Sequence, residues 1–266
     1  MFGVVVISYD IIIQAGQSNA QGCGLGPVDK EYVPDERILH LTAEKTVIIN
    51  EPYITITYAD KPFIISTADN RETENGKTGD FSLSFARRYV EDGMLKEGRK
   101  LLIIRAAIGC TGFVKGNWGK CAQLYLKMLE MIDYALSLDE EARLVAFLWH
   151  QGETDAGRGN IPEVYRMQIE DMVKSVRERY KIDNLPFVAG DFVHDWKNTK
   201  LSVCQPIIEK VKEACINLGN AAFVETDGLI SNDQKIGNKD NIHFCRQSLF
   251  ELGERYYDAF KSIIEG

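Results

Sequence analysis

The sequence predicts a three-layer α/β/α sandwich around a five-stranded parallel sheet, and three observations carry that expectation. Five short apolar runs recur along the 266 residues. Between them lie stretches whose apolar residues return every three or four positions, the period of a helix with one buried face. Each run also ends abruptly in glycine, amide, hydroxyl, carboxylate or imidazole residues, as strands do when they open into loops.

The runs are "DIIIQAG" (10–16), "KLLIIRAAIG" (100–109), "LVAFLWHQG" (144–152), "LPFVAGDF" (185–192) and "AAFVETDG" (221–228). Continuous apolar runs of this length are the pattern of strands buried on both faces. The helical stretches are 81–92, where Phe81, Phe85 and Tyr89 stand four apart, then 122–138, 161–180 and 203–218. A last one carries Leu249, Leu252, Tyr256, Phe260 and Ile263 on one stripe. Alternating strands and helices imply right-handed crossovers and a parallel sheet covered on both faces, a flavodoxin-like arrangement. The stretch from about 23 to 79 lacks helical period, contains "TVIIN" and "YITITYADKPFIIS", and ends in "NGKTGD". It reads as an irregular insertion with a small hairpin beside the sheet, within one domain spanning 1–266. Residues 1–9 read as a disordered or edge-pairing terminus, too short and without the basic start of a signal peptide.

Composition narrows the function. The chain is 45% apolar and 26% charged with a net charge of −8, and no run of about 18 apolar residues could span a bilayer. No basic cluster interleaved with aromatics suits nucleic acid. A small polar or neutral substrate is expected, with no nucleic acid or membrane partner. Six cysteines (Cys23, Cys110, Cys121, Cys204, Cys215, Cys245) form no C-x-x-C pair, so they read as buried free thiols in a reducing cytoplasm.

In open parallel sheets ligands bind beyond the carboxyl ends of the strands. The residues there are Gly16, Gln17, Ser18 and Asn19 after the first strand, Gly109, Cys110 and Thr111 after the second, and His150, Gln151, Gly152 and Glu153 after the third. Asp191, His194 and Asp195 follow the fourth strand, and Asp227, Asp240 and His243 lie beyond the fifth. Taken alone, Ser18 reads more readily as a helix cap than as a nucleophile. What changes its reading is "DNIHF", in which Asp240 and His243 stand three apart before the last helix. A serine hydroxyl attacks only once a base takes its proton, and the base needs a partner to fix its tautomer and stabilise the imidazolium. Ser18, His243 and Asp240 meet that need. The acyl-transfer oxyanion would then face the backbone N–H groups of Ser18 and Gly109 and the side-chain amide of Gln151. Gln17, Asn19 and Glu153 are expected to support this set, Glu153 by orienting its loop or Gln151.

The blocks "GQSNAQG", "AAIGCTG", "WHQGETD" and "DNIHF", together with "GDFSLSFARRYVEDG", resemble the SGNH-type hydrolases. The likeness is strongest to the group that holds sialic-acid-specific 9-O-acetylesterases and acetylxylan esterases, and it runs from about Asp10 to Ile264, weakest in 29–75. It implies the SGNH hydrolase fold, no cofactor, removal of O-acetyl groups from a carbohydrate, and the same roles: Ser18 nucleophile, His243 base, Asp240 orienter, Gly109 and Gln151 at the oxyanion. Two positions depart from the group: Ala20 stands where methionine is usual, and Gly109-Cys110 replaces a double glycine.

Five rival readings stand beside this one. "DFVH" gives Asp191 and His194 the same spacing as Asp240 and His243. Metal binding lacks any H-E-x-x-H or paired-cysteine spacing, and none is expected. Cys23 or Cys110 as nucleophile lacks the context of Ser18. A carbohydrate-binding protein without turnover would use exposed aromatics, for which Trp118 and Trp196 are candidates. A short-acyl esterase or thioesterase acting on something other than sugar is the remaining alternative.

Overall fold

The computed structural model describes residues 7–50 and 53–266. In chain order the elements are β1 (Ser8–Gly16), α1 (Ser18–Gln21), β2 (Ile38–Thr42), β3 (Lys45–Asn50), β4 (Tyr53–Tyr58), β5 (Ile64–Thr67), β6 (Glu72–Thr73) and β7 (Gly76–Lys77). There follow α2 (Phe81–Glu91), β8 (Arg99–Arg105), α3 (Gln123–Ser137), β9 (Arg143–His150), α4 (Glu153–Gly157), α5 (Pro162–Tyr180) and β10 (Phe187–Gly190). The chain closes with α6 (His194–Thr199), α7 (Leu201–Leu218), β11 (Ala221–Val224), α8 (Asn232–Ile236) and α9 (Arg246–Glu265).

The main sheet has the order β11-β10-β9-β1-β8-β2-β5. Its five predicted strands are present and parallel, with β1 between β8 and β9. The sheet is nevertheless seven-stranded, because the 23–79 segment adds β2, parallel to β8, and β5, antiparallel to β2. Both escape the sequence reading for physical reasons: "ILHLT" is interrupted by a histidine, and β5 is a four-residue edge strand with little buried surface. The expected hairpin is β3–β4, from Lys45↔Tyr58 to Asn50↔Tyr53. For residues 1–6 the terminal expectation lies outside the described residues, while Ser8 and Tyr9 pair with Arg99 and Lys100 of β8.

Alternation along β1 builds both layers. Ile11, Ile13 and Ala15 enter the core formed with α3, α5 and α7, whereas Ile12 enters the opposite one with α2 and α9. Close approach of α2 and α9 depends on Gly253, since a Cβ there would lie 1.9 Å from the carbonyl oxygen of Phe81. At the other end of β1, Asp10 is fully buried and accepts from Arg99 Nε (2.8 Å), Arg143 Nε (2.7 Å) and the Tyr89 hydroxyl (2.8 Å). Burial opposes ionisation of Asp10, but the hydrogen bonds from Arg143, Tyr89 and Arg99 outweigh it and hold the carboxyl below its ordinary pKa. One carboxylate thus ties β1, β8, β9 and α2 together at the sheet's floor. Between β1 and β9 the strand order reverses, the topological switch point where a ligand crevice opens.

Candidate active site

The crevice starts at Gly16. Its φ is +133°, and a Cβ would stand 2.1 Å from the carbonyl oxygen of His150, so only glycine lets β1 end against β9 here. The Gln17 N–H donates to that same oxygen at 3.0 Å, and the chain turns at once into α1. Gln17, not Ser18, takes the N-cap position, and α1 has no side-chain capping bond. The capping role that competed for Ser18 is therefore not what its hydroxyl does. As the first helical residue, Ser18 also has an N–H with no acceptor inside its own helix.

His243 and Asp240 sit on the loop between α8 and α9. His243 Nδ1 lies 2.9 Å from both Asp240 carboxylate oxygens. Burial works against the charge on Asp240, yet bonds from His243 and Asn232 prevail and lower its pKa. Asn232, fully buried, was not singled out from sequence. It donates to Asp240 Oδ2 (2.9 Å) and to the Cys23 carbonyl (3.1 Å), and accepts from the Leu25 N–H (2.8 Å). The segment after α1 is thereby fastened to the Asp240 loop. Asn19 fastens it again: its amide donates to the Ile242 carbonyl and accepts from the Phe244 N–H, both at 3.1 Å, bracketing His243 on either side. Ser18 and His243 line one cleft of about 420 Å³, together with Gln17, Cys110, Glu153 and Trp196.

The two glutamines divide their work differently from the sequence expectation. Gln151 is buried and spends its amide N–H groups on Asp155 Oδ2 (2.6 Å), Gln17 Oε1 (3.2 Å) and the Thr111 carbonyl (3.2 Å), while its Oε1 accepts from Tyr165. Gln17 Oε1 accepts from Gln151 and from the Thr154 N–H (3.1 Å). With its oxygen held from behind, Gln17 has its Nε2 left for the cleft it lines. Gly109 lies beside Ser18, where a Cβ would be 3.5 Å from that of Ser18, and its N–H donates to Gln21 Oε1 at 2.8 Å. Asp155, which no sequence motif singles out, is a hub. It accepts from Gln151, from the N–H groups of Phe113 (3.1 Å) and Val114 (2.8 Å), and from Asn160 (2.7 Å).

A family model for carbohydrate esterases described as sialic acid-specific acetylesterases matches residues 8–262. The chain belongs to that acetylesterase family. A probable carbohydrate esterase from Arabidopsis thaliana, At4g34215, is 24% identical over 164 residues, which cover 59% of this chain and 56% of the relative. The chain thus spans about half the length of that curated relative. Among solved structures it is similar to NanS, with 18% identity over 98% of this chain and 99% of the other and a TM-score of 0.79. It is also similar to XAC1771, a carbohydrate acetylesterase from Xanthomonas citri, with 16% identity over 97% of this chain and 57% of that one and a TM-score of 0.68. These structural likenesses speak to the fold.

Three further residues shape the site. Cys110 adopts φ 61°, a left-handed conformation that glycine takes freely, which gives a physical reason for the glycine usual there in the resembling group. Glu153 is fully buried and burial raises its pKa; Asn19 donates to its Oε1 at 2.8 Å. Behind it His150 is buried, with its pKa lowered to about 3 by desolvation. The Tyr256 hydroxyl donates to the Trp149 carbonyl (2.9 Å) and so accepts from His150 Nδ1 (2.9 Å), which leaves His150 Nε2 as a bare acceptor. That atom lies 3.9 Å from Glu153 Oε1, and it and Glu153 Oε2 are buried with no hydrogen-bond partner. His150 is a packed histidine, and the Glu153 carboxyl, its pKa raised by burial, accepts from Asn19.

His194 does not line the cleft with Ser18. Its Nε2 is 3.4 Å from Asp191 Oδ2, a carboxylate that Lys197 already engages. Asp195 accepts from Ser231 at 2.8 Å, helping to hold the α8 cap. The tryptophans also need correction. Trp118 is buried edge-on against Trp149 and donates to Thr111 Oγ1 at 3.0 Å, so it offers no sugar platform. Trp196 is on α6, almost fully buried, with a face toward the cleft. Cys204, Cys215 and Cys245 are buried as expected of core thiols, whereas Cys121 is exposed and Cys23 and Cys110 are half-buried. Among the described residues no cluster of three His, Cys, Asp or Glu side chains could hold a metal ion, and no helix is long and apolar enough to cross a membrane.

Proposed function

We propose that this chain is a serine esterase that removes O-acetyl groups from a carbohydrate through a Ser18 acyl-enzyme. The observation that carries the reading is the sharing of one cleft by Ser18 and His243, with His243 Nδ1 bonded to Asp240 at 2.9 Å. That bond puts the proton on Nδ1 and leaves Nε2 to receive the Ser18 proton as Oγ attacks the acetyl carbonyl. The oxyanion that forms is met by the Ser18 N–H and by Gln17 Nε2, with Gln151 and the Thr154 N–H fixing the rotation of Gln17. Gly109 supplies a third N–H once the oxyanion displaces Gln21 Oε1 from it. As the intermediate collapses, the imidazolium protonates the sugar oxygen whose bond to the acetyl carbon breaks, and water, activated by the same imidazole, releases acetate from Ser18.

The substrate class is an acetylated sugar, as the family description indicates. Between a neutral xylan type and an acidic sialic acid type, the family description favours the acidic one. The test is acetate release from O-acetylated sialic acid, acetylated xylose and 4-nitrophenyl acetate, with mass spectrometry of the acid-quenched protein. An acetyl adduct on Ser18, and loss of about 10⁴-fold or more in kcat for Ser18→Ala, are expected. A folded wild-type protein that releases no acetate from any of the three would refute the reading.

A further inference from the structure

A second groove adjoins the cleft. It has a volume of about 340 Å³ and is lined by Tyr53, Ile54, Val114, Lys115, Asn117 and Arg158. Lys115 and Arg158 belong to both linings, so the groove is the neighbouring space for whatever is attached to a group held at Ser18. The outer wall is the β3–β4 hairpin, which stands apart from the main sheet and carries Tyr53 at its edge with 76% of its surface exposed. The inner wall is the segment after β8, where Val114 is 40% exposed.

Both walls are braced. The N–H groups of Phe113 and Val114 are held by the buried Asp155 carboxylate, and Gln123 Nε2 donates to the Ile56 carbonyl at 2.9 Å, tying the hairpin to α3. These bonds hold the backbone of both walls, which lowers the cost of ordering them around a ligand. Its chemistry is amphipathic: an aromatic ring and two aliphatic side chains beside an amide and two cations. Asn117 Oδ1 accepts from the Gly112 N–H at 3.2 Å, so the Asn117 amide presents Nδ2, a donor. A pyranose ring has the matching surface, with C–H faces that lie on an aromatic ring and hydroxyls that accept at the rim.

We infer that this groove is a subsite for a second sugar, glycosidically linked to the acetylated one, so that the substrate is an acetylated oligosaccharide rather than a free monosaccharide. This rests on the carbohydrate acetylesterase reading above. Two measurements test it and separate the two claims. In the first, the deacetylated disaccharide and monosaccharide are titrated into Ser18→Ala protein by calorimetry, which needs no turnover. The linked sugar is expected to bind about three- to tenfold more tightly, the worth of one aromatic platform; that gain disappears in Ser18→Ala/Tyr53→Ala and survives in Ser18→Ala/Tyr53→Phe. In the second, kcat/KM is compared for the same O-acetyl sugar free and linked. The preference for the linked form should appear in KM, vanish in Tyr53→Ala and leave 4-nitrophenyl acetate turnover unchanged. Equal affinity for one and two sugars, or a preference indifferent to Tyr53, overturns the subsite even if acetate is released. If butyl and longer acyl esters gain through Tyr53 while longer glycans do not, the groove takes acyl chains and the inference is wrong.

Discussion

At the scale of single residues, the amide donor separates sequence from structure most sharply. Gln17 and Gln151 are both glutamines at strand ends on the same rim, and nothing in their spacing says which one faces the ligand. Side-chain bonding does: Gln151 is enclosed by Asp155, Thr111, Gln17 and Tyr165, whereas Gln17 lines the cleft. Gln17→Ala is expected to lower kcat by about 10² to 10³-fold with little change in KM, the usual cost of one oxyanion donor. Gln151→Ala should lose less in kcat and more in stability; the reverse order in steady-state kinetics would return the donor role to Gln151. Three-residue spacing alone offered both Asp240–His243 and Asp191–His194, and only the place of the first pair before the last helix favoured it, while Asn232 and Asp155 act across distances in sequence that no motif encodes. Glu153 gives a second test. Burial raises its pKa, so folding favours the protonated form, and its contribution to stability is present below the unfolded carboxylate range and lost as pH rises toward the folded value. Glu153→Gln, which mimics the neutral acid and keeps an acceptor for Asn19, should retain activity and unfold at a higher temperature than wild type at neutral and alkaline pH, with no gain in acid. Glu153→Ala should lose activity by freeing Asn19. Thermal melts that show the same Gln effect at every pH would contradict a buried neutral Glu153.

At the scale of elements, the five central strands and five long helices were legible because each is long enough for its apolar period to show. The prediction of 122–138, for example, meets α3 at Gln123–Ser137, and 161–180 meets α5 at Pro162–Tyr180. Missing were elements whose formation depends on neighbours. The four residues of α1 exist because Gly16 lets the chain turn against β9, and β5 exists because β2 offers it an edge. Asp10 shows the same dependence energetically, since its charge is tolerable only beside Arg99, Arg143 and Tyr89. Asp10→Ala should cost about 3 kcal/mol by leaving buried partners uncompensated, toward the low end because Arg143 is half-exposed. The folded pKa of Asp10 is lowered, so this contribution is present above the unfolded carboxylate pKa and lost as pH falls through the folded one. Urea titrations of wild type and variant should therefore converge on acidification. A gap that stays constant into acid would remove Asp10 from the account of stability.

At the scale of the whole molecule, a parallel sheet with its order reversing between β1 and β9 gathers Ser18, Gly109, Gln151 and His243 at one end. That much follows from the alternation of runs in the sequence. Which polar groups touch, and which histidine joins the serine, follows only from the loops. The central claim is that the convergence at the strand ends makes Ser18 and His243 one catalytic pair, and the direct measurement is kcat on 4-nitrophenyl acetate for His243→Ala and His194→Ala side by side. The account predicts a loss of about 10⁴-fold for His243→Ala and turnover close to wild type for His194→Ala; an active His243→Ala protein beside an inactive His194→Ala one would contradict it.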